Sequence, residues 1–366
     1  MNSSDTQPAA IARDRSRPLA GIGRLERLPK WLNLVPMVSQ WLWLSLRYRS
    51  VTLPSCANPA ITAGGMVGEG KLEYLDIMGK YALAATATTT SVRAAGLESV
   101  DQAEAAMQRC GLAYPIVVKP DLGWCGFGVR RVDDRRELIA YLEGFPRDER
   151  VVIQCYIADK GEAGLFYLRR PEDAHGRLIG LLLRHYPRVI GDGVRTVSEL
   201  IAADPRARRL GRDGASEAGC DLTTVPSPGE EVRIATVGST RVGGLYQDAS
   251  ASITPAMTDA IDAIASDMKD FHVGRFDVKF ESLAALRAGR GFEIIEVNGA
   301  GSEAVHAWDP SLSLRQAYRI VFDKQRQLFS LADAMRTRGH RPVGIKTLAR
   351  LYLKQQALIR KYPPSN

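Results

Sequence analysis

Two stretches give the strongest indication of the fold: GRFDVKF at residues 274–280 and FEIIEVNGAGSE at residues 292–303. In the first, apolar and polar residues alternate, which predicts a β-strand with Asp277 on its polar face. In the second, Glu296 and Asn298 are two positions apart and therefore share a face. If the two strands pair as a hairpin, these oxygen-bearing side chains converge, and such ligands suit Mg²⁺ bound to phosphates. The alternative is a surface hairpin whose polar residues face water.

The composition is that of an ordinary globular protein. The chain has 366 residues, of which 45% are hydrophobic and 25% charged, enough for two or three packed units. Its formal charge is +8, but no nucleic-acid-binding module is visible, so we expect acidic small molecules and no nucleic acid as partners. The five cysteines are scattered without a CxxC pair. That spacing predicts a reducing, cytoplasmic location without disulfides or structural zinc.

The two ends of the chain have distinctive compositions. Residues 1–24 are polar, which predicts a flexible arm and no secretory signal peptide. Residues 31–49 are rich in Trp and Leu and too interrupted to cross a bilayer, so we expect a helix packed on the protein body. The basic stretch 336–361 predicts an amphipathic helix. The alternative for both helices is an anionic membrane surface, with the protein peripheral at the inner membrane face.

A second informative stretch is YPIVVKPDLGWCGFGVRRV at residues 114–132. Apolar residues near each end predict two strands, and the glycines between them predict a hairpin lid. This is not the strand–loop–helix of a Rossmann or Walker phosphate site. The glycines can place N–H groups over phosphate oxygens, and Lys119 adds a positive charge at the lip of the lid. The alternative is an ordinary glycine-containing hairpin. Cys125 is predicted to have no chemical role.

Other segments predict the elements around these two hairpins. Residues 71–83 predict a helix, and residues 98–110 predict another that Asp101 caps. RVVIQCYI at residues 150–157 predicts an apolar strand, and the basic loop 205–231 is either a solvated connector or a lid over an anionic substrate. The remaining predictions are a helix at 133–143 started by Asp133 or Asp134, a strand at 178–184, a helix at 197–203 capped by Thr196 or Ser198, and helices at 255–270 and 312–330.

Taken in order, these stretches resemble the ATP-grasp superfamily of ATP-dependent ligases, over residues 75–310. GRFDVKF followed by IIEVN is similar to the metal hairpin of D-alanine–D-alanine ligases. RHYPRVIGDGVRTVSELI at residues 184–201, with the basic loop and the hairpin, is similar to the ATP-grasp unit of cyanophycin synthetases and glutathione-synthesis ligases. The resemblance implies an α+β fold in which two subdomains grip ATP. The segment before residue 70 departs from the family's usual N-terminal domain.

The resemblance also implies a division of the chain. We expect a flexible arm at 1–24, a helical and glycine-rich segment at 25–75, a first ATP-grasp subdomain with the lid at 76–158, a second with the metal hairpin at 159–330, and a basic helical extension at 331–366.

Site residues follow from the resemblance position by position. Asp277, Glu296 and Asn298 are implied to hold two Mg²⁺ ions, for which Mn²⁺ could substitute. Catalytic roles are implied for Arg275, Lys119 and Arg184. An upstream phosphate lysine is expected at Lys80, with Lys71 as the alternative. The nucleotide-binding set is implied to be Lys80, Lys119, Gly123, Gly126, Phe127, Gly128, Gln154, Cys155, Tyr156, Ile157 and, for the ribose, Glu162.

The chemistry that the resemblance implies needs no side-chain nucleophile. A carboxylate attacks the γ-phosphate of ATP to give an acyl-phosphate and ADP, and an amine then displaces phosphate. Such a transfer depends on positioning and charge neutralisation. The partners implied are a small-molecule carboxylate and an amine, amino acids or peptides among them. The alternatives are a phosphotransferase acting on a hydroxyl and a non-catalytic nucleotide-binding protein, and a homodimer is an alternative to a monomer.

Overall fold

The structure is a computed structural model. It describes residues 21–124, 126–158, 161–210, 220–235 and 238–365. Most of the predicted arm at 1–24, Cys125, and the middle of the basic loop at 205–231 lie outside the described residues.

The described chain contains eleven α-helices and eleven β-strands. The α-helices are α1 (Arg24–Arg27), α2 (Lys30–Arg47), α3 (Lys71–Asp76), α4 (Lys80–Ala84), α5 (Val100–Arg109), α6 (Arg135–Glu143), α7 (Val197–Ala203), α8 (Pro255–Ser266), α9 (Leu283–Arg287), α10 (Leu314–Thr337) and α11 (Ile345–Ile359). The strands are β1 (Thr89–Arg93), β2 (Ile116–Pro120), β3 (Arg130–Val132), β4 (Arg150–Cys155), β5 (Gly161–Leu168), β6 (Arg177–His185), β7 (Arg188–Ile190), β8 (Glu231–Arg233), β9 (Leu245–Asp248), β10 (Val273–Phe280) and β11 (Phe292–Asn298). The α+β class is therefore confirmed.

The first sheet contains the glycine lid. Its four strands are antiparallel in the order β1-β4-β2-β3. Strands β2 and β3 pair with Ile116 opposite Val132, which confirms the predicted hairpin. One face packs on α5 and α6 through buried residues such as Ile153 and Leu138. Because the helices cover that face, the polar side chains on the opposite face of the sheet are available to contact the rest of the molecule.

The second sheet contains the hairpin formed by β10 and β11, which carry GRFDVKF and FEIIEVN. Its five antiparallel strands have the order β11-β10-β5-β6-β9. Phe276 and Val278 point to one face and bury themselves against Ile261 and Ile264 of α8, as their two-residue and helical spacings require. The opposite face therefore holds the charged residues of β10. A register shift after Asp277 interrupts the β10–β11 ladder.

Two further packed units flank the second sheet. Strands β7 and β8 form a small ladder on which α7 packs, and Thr196 caps α7 as predicted. Helix α2 lies against α10, where Trp41 meets Phe329 with ring centroids 4.8 Å apart. Among the helices of the described chain, none is long and apolar enough to span a bilayer.

Several local predictions need correction. Helix α5 begins one residue before Asp101, with Ser99 at the N-cap, so Asp101 lies in the first turn and does not cap. The predicted helix at 71–83 is two short helices, α3 and α4, separated by a bridge from Met78 to Met268. Asp134, of the two residues considered, caps α6. The four-stranded sheet precedes residue 158 and the five-stranded sheet follows it, but the expected domain boundaries stay a prediction.

Candidate active site

The three predicted metal ligands lie together on the charged face of the second sheet. Asp277 on β10 is directly opposite Glu296 on β11. The Asn298 amide donates a hydrogen bond of 3.2 Å to Asp277 Oδ2. The Asp277 side chain is 2% exposed, whereas the Glu296 side chain is 31% exposed. The hairpin therefore presents one deeply buried carboxylate and one that is open to the space in front of the sheet.

Two arginines neutralise the buried carboxylate. Arg275 donates from Nε to Asp277 Oδ1 at 2.6 Å and from Nη2 to Asp277 Oδ2 at 2.8 Å. Arg184, on β6, places Nη2 3.8 Å from the same Oδ2. Burial alone would lower the pKa of Arg275, but the charge of Asp277 outweighs burial and raises it. Arg275 is thus a fixed cation at this position.

Lys119 reaches this hairpin from the first sheet. Its ammonium donates to the Ile295 carbonyl at 2.8 Å and to Gln154 Oε1 at 3.0 Å. Gln154 in turn donates to the Ile295 carbonyl at 3.2 Å. Burial lowers the pKa of Lys119 to about 8, although Glu296 acts in the opposite direction. The polar face of the first sheet therefore meets the edge strand β11 of the second sheet.

Lys71, and not Lys80, is the upstream lysine that the structure brings to this place. Lys71 begins α3, and its Nζ lies 3.4 Å from Glu296 Oε1. Lys80 is exposed at the start of α4. Burial would raise the pKa of Glu296, but Lys71 and then Lys119 outweigh it and hold the pKa below its usual value. The structure places Lys71 and not Lys80 beside Glu296, and which of the two binds phosphate stays a prediction.

A cleft opens between the two sheets at these residues. It is narrow and partly open to solvent. Its described lining residues are Lys71, Tyr74, Leu75, Met78, Thr86, Thr89, Lys119, Val152, Gln154, Ile294, Ile295, Glu296 and Val297. Apolar walls with lysines and a carboxylate at one end suit a ligand that has a flat apolar part and a charged tail.

The glycine lid lies at the end of β2 and is held from outside by the C-terminal segment. Gly126 and Gly128 adopt positive φ angles of 74° and 71°, which glycine tolerates best. Within the lid, the Phe127 N–H donates to the Trp124 carbonyl at 3.0 Å. Three lid carbonyls accept hydrogen bonds from side chains of this segment. The Gly123 carbonyl accepts from Gln355 at 3.0 Å, the Leu122 carbonyl from the Tyr362 hydroxyl at 2.7 Å, and the Gly126 carbonyl from the Ser365 hydroxyl at 2.7 Å. Sequence reasoning missed this anchoring.

Glu162, expected at the ribose, is engaged by protein groups. Its side chain is 6% exposed, and its oxygens accept hydrogen bonds from Arg184 and from the Tyr186 hydroxyl. Lys279 of β10 lies 3.2 Å from Glu162 Oε2. Burial would raise the pKa of Glu162, but Arg184 and then Lys279 lower it to about 2. A ribose at Glu162 would have to share these oxygens with Arg184 and Tyr186.

Residues 154–157 of the expected nucleotide-binding set lie at the end of β4 and in the loop that follows it. Gln154 directs its side chain to Lys119 and to Thr89, where it donates to the hydroxyl at 3.0 Å. Cys155 ends β4, and Tyr156 and Ile157 continue in the loop towards β5. The Tyr156 ring lies under the guanidinium of Arg131, 4.5 Å from its carbon to the ring centroid. The backbone of this loop leaves the first sheet next to the cleft.

Two buried polar atoms beside Glu296 were not anticipated. Glu69 Oε2 and the Tyr74 hydroxyl are buried without a hydrogen-bond partner in the described part of the chain. Burial raises the pKa of Glu69 to about 7, with Lys71 opposing it and the carboxylate of Glu296 adding to it. Such orphaned groups are uncommon in native interiors. Glu69 lies in the glycine-rich segment before α3, and Tyr74 lies within α3. That glycine cluster is the only sequence signal that pointed to this place.

The donor chemistry of the hairpin fits Mg²⁺. Two carboxylates and one amide oxygen are hard ligands, and Mg²⁺ completes its shell with water and phosphate. Over the described residues, no group of three His, Cys, Asp or Glu side chains is arranged as a metal site. The set of Asp277, Glu296 and Asn298 includes only two such residues, so phosphate oxygens would have to supply further ligands. Both oxygens of Asp277 accept from Arg275, so metal binding there competes with this ion pair.

Comparison with known proteins returns solved ligase structures. No protein-family model matches the chain, and a search of curated proteins finds no match. A bifunctional glutathione synthetase from Pasteurella multocida is 19% identical with a TM-score of 0.40, over 75% of this chain and 38% of that chain. The D-alanine–D-alanine ligase from Bacillus anthracis is 15% identical with a TM-score of 0.43, over 76% of this chain and 71% of that chain.

The VanG D-Ala:D-Ser ligase from Enterococcus faecalis is 16% identical with a TM-score of 0.38, over 73% of this chain and 62% of that chain. This chain thus spans well under half of the bifunctional synthetase. The structures retrieved are ligases of the kinds that the sequence resembles. Each of these TM-scores is below 0.5.

Proposed function

We propose that this protein is an ATP-dependent carboxylate–amine ligase that forms an amide bond through an acyl-phosphate and releases ADP and phosphate. One observation carries the proposal. Asp277 and Glu296 lie opposite each other on paired strands, and Lys119 from the other sheet donates a hydrogen bond to the carbonyl of Ile295, next to Glu296. An ATP molecule in that cleft would direct its phosphates to this cluster of fixed charges.

The cluster is richer in cations than in carboxylates. Its positive side chains are Lys71, Lys119, Arg184, Arg275 and Lys279. Its carboxyl groups are Glu162, Asp277, Glu296 and Glu69, whose pKa burial raises to about 7. A surplus of buried positive charge costs free energy unless an anion compensates it. Triphosphate and a substrate carboxylate are anions of the required kind, which supports acidic substrates such as amino acids or peptides.

Each group has a role that its position supports. Asp277, Glu296 and Asn298 would hold Mg²⁺, which when bound would neutralise the phosphate oxygens. Lys119 and Lys71 would bind the phosphates as compact point charges. Arg275 and Arg184 would stabilise the negative charge that develops when the carboxylate oxygen attacks the γ-phosphate. Removing one such charge-stabilising group costs on the order of a hundredfold in rate.

A phosphotransferase is the second candidate, because a hydroxyl could accept the phosphoryl group at the same cluster. The products distinguish the two reactions. The test incubates the protein with Mg·ATP, hydroxylamine and a panel of amino acids and small carboxylates, and follows ADP and hydroxamate by mass spectrometry. A ligase gives hydroxamate together with ADP, whereas a phosphotransferase gives a phosphorylated alcohol and no hydroxamate. Mg·ATP binding without turnover of any panel member would support a non-catalytic nucleotide-binding protein.

The setting of the reaction is also part of the proposal. The five cysteines are scattered along the sequence without a CxxC pair, a spacing that supports a reducing compartment such as the cytoplasm. The mass of the protein in solution would distinguish a homodimer from a monomer.

A further inference from the structure

Helix α2 turns an unusually apolar face away from the protein. The exposed fractions of its outward side chains lie between 40 and 79%. These side chains are Trp31, Leu32, Leu34, Val35, Val38, Leu42, Trp43 and Leu46. Ser39 is the polar residue between them, and its hydroxyl donates to the Val35 carbonyl instead of facing water alone. A solvated helix normally presents charged and polar residues on this side.

The spacing shows that this is one continuous stripe. Trp31, Val35, Val38, Leu42 and Leu46 follow the i, i+4, i+7, i+11, i+15 pattern of a single helical face. A helix of 18 residues is about 27 Å long at about 1.5 Å per residue. The exposed apolar surface thus extends along the whole helix and is not a single stray side chain.

Three uncharged polar residues of α2, Asn33, Gln40 and Ser45, lie on its inward side. Asn33 is buried and donates to the Leu25 carbonyl at 2.6 Å. Gln40 donates to the Phe322 carbonyl of α10 at 2.8 Å, and Ser45 is buried with its hydroxyl on the Trp41 carbonyl. The helix is therefore inverted relative to an ordinary surface helix, because its polar groups serve the interior contact. Its outward apolar face needs another explanation.

The charged residues of α2 and of the sequence on either side of it are basic. Between Glu26 and Glu69 the sequence contains no Asp or Glu, while it contains Arg27, Lys30, Arg47 and Arg49. Arg27, Arg47 and Arg49 are exposed and lie at the two ends of α2. Apolar residues flanked by arginines, with Trp at both ends, match the layering of an anionic bilayer surface.

The basic C-terminal region lies next to the C-terminal end of α2. Arg336 donates to the Tyr48 carbonyl at 2.9 Å, and the Val343 N–H donates to the Ser55 hydroxyl at 2.8 Å. From residue 334 to the end the sequence again has no acidic residue. Ile345, Tyr352 and Leu353 of α11 are exposed, like the stripe of α2.

We propose that the outward face of α2 docks in the plane of an anionic lipid surface. A second copy of the chain fits less well, because pairing two such faces in either direction would bring the arginines at the helix ends together. Residues 1–20 fit poorly as a cover, because Met1, Ile11 and Leu19 are their large apolar residues. The proposal does not depend on the ligase reaction, since α2 is not among the described residues that line the cleft.

The test compares two variants of the full chain with the same chemical change. Val38→Glu with Leu42→Glu places two carboxylates on the stripe. Val194→Glu with Leu97→Glu places two carboxylates at exposed apolar residues elsewhere, so that the net charge is matched. Each protein is sedimented with vesicles of phosphatidylcholine alone or mixed equally with phosphatidylglycerol, at physiological salt. Circular dichroism and thermal melting check that each variant is folded.

We expect the unmodified chain and the matched control to pellet with the anionic vesicles and much less with phosphatidylcholine. The stripe variant should lose at least about tenfold in partitioning, because two buried apolar contacts are replaced by charges. Equal binding of the stripe variant and the control would overturn the proposal. So would a failure of the unmodified chain to pellet, with light scattering then showing whether the stripe instead joins two copies.

Discussion

Glu296 is the residue on which the proposed chemistry can be tested most cleanly. Its side chain is 31% exposed, so its replacement leaves less unpaired charge behind than replacement of the buried Asp277 would. Glu296→Gln keeps the shape and removes the charge, and we expect Mg²⁺-dependent ADP release to fall by about a hundredfold or more with an unchanged melting temperature. The control is Glu98→Gln, at an exposed carboxylate outside the cleft. Near-normal activity of Glu296→Gln would contradict the metal assignment.

Lys119 gives a second test at the residue scale. Lys119→Ala removes the cation at the phosphate end of the cleft, so the KM for ATP should rise by about tenfold or more. Lys80→Ala is the matched control, because Lys80 is exposed and does not line the cleft. Steady-state ADP release with varied ATP gives both values. An unchanged KM in Lys119→Ala would place the triphosphate elsewhere.

Glu69 predicts a dependence of stability on pH. Burial raises its pKa from 4.5 in the unfolded chain to about 7 in the folded protein, so the folded state binds the proton more tightly. The folded state therefore loses stability as the pH rises from 4.5 towards 7, and the loss is complete above 7. Glu69→Gln cannot ionise and should be more stable than the parent above pH 7, by up to about 3 kcal/mol. Below pH 4.5 this advantage should vanish.

Denaturant unfolding of both proteins at pH 4.5 and pH 8 measures that difference. Glu143→Gln, at the end of α6, is a control with an exposed carboxylate. An advantage of Glu69→Gln that is equal at both pH values would mean that the carboxyl group does not titrate as its burial requires.

The sequence predicted that Asp277, Glu296 and Asn298 would come together if their strands paired, because the period of a strand fixes which side chains share a face. It could not predict that Glu162 is enclosed by Arg184, Tyr186 and Lys279. That network depends on β5 lying between β6 and β10, and strand order in a sheet is not written in any local pattern. The sequence also could not predict that Lys71, and not Lys80, lies beside Glu296, because these positions depend on the break between α3 and α4.

At the scale of elements, the C-terminal segment is a support for the glycine lid. Gln355 and Tyr362 donate hydrogen bonds to lid carbonyls, and the Tyr362 ring stacks on Phe145 at 5.1 Å. Gln355→Ala with Tyr362→Phe removes both donors, so the lid should loosen, and the KM for ATP should rise several-fold with little change in kcat. Gln356→Ala with Tyr352→Phe, on the same helix, is the matched control.

Limited proteolysis of the lid, with and without Mg·ATP, separates a loosened lid from a weakened fold. We expect faster cleavage near residues 122–128 in the lid variant, and equal cleavage elsewhere. Unchanged KM and cleavage would mean that the lid holds its conformation without the C-terminal donors.

Element boundaries were predicted well where a local signal was strong. Thr196 with Glu199 forms a capping box at α7, and Asp134 accepts from the Glu137 N–H at the start of α6. Asp101 failed because the chain turns into α5 one residue earlier. The lid support could not be predicted, since it joins elements more than 200 residues apart in sequence.

At the scale of the whole molecule, the two sheets have separate hydrophobic cores. Their contact at β11 is made by polar groups: Lys119 and Gln154 donate to Ile295, and the Ala87 N–H donates to the Ile294 carbonyl at 2.9 Å. Polar contacts of this kind add little net stability. We therefore expect scanning calorimetry of the protein without nucleotide to show two overlapping transitions, one for each core.

Mg·ATP bound between the sheets would contact both units and should bring the transitions together at a higher temperature. At a free concentration of about one hundred times Kd, the ligand adds about 2.7 kcal/mol to the free energy of unfolding. Lys119→Ala removes the contact from the first sheet, and Glu296→Gln removes one from the second, so each variant should lose about half of the shift or more. If Mg·ATP moved one transition and left the other in place, the nucleotide would bind a single unit, and a site shared by the two sheets would be ruled out.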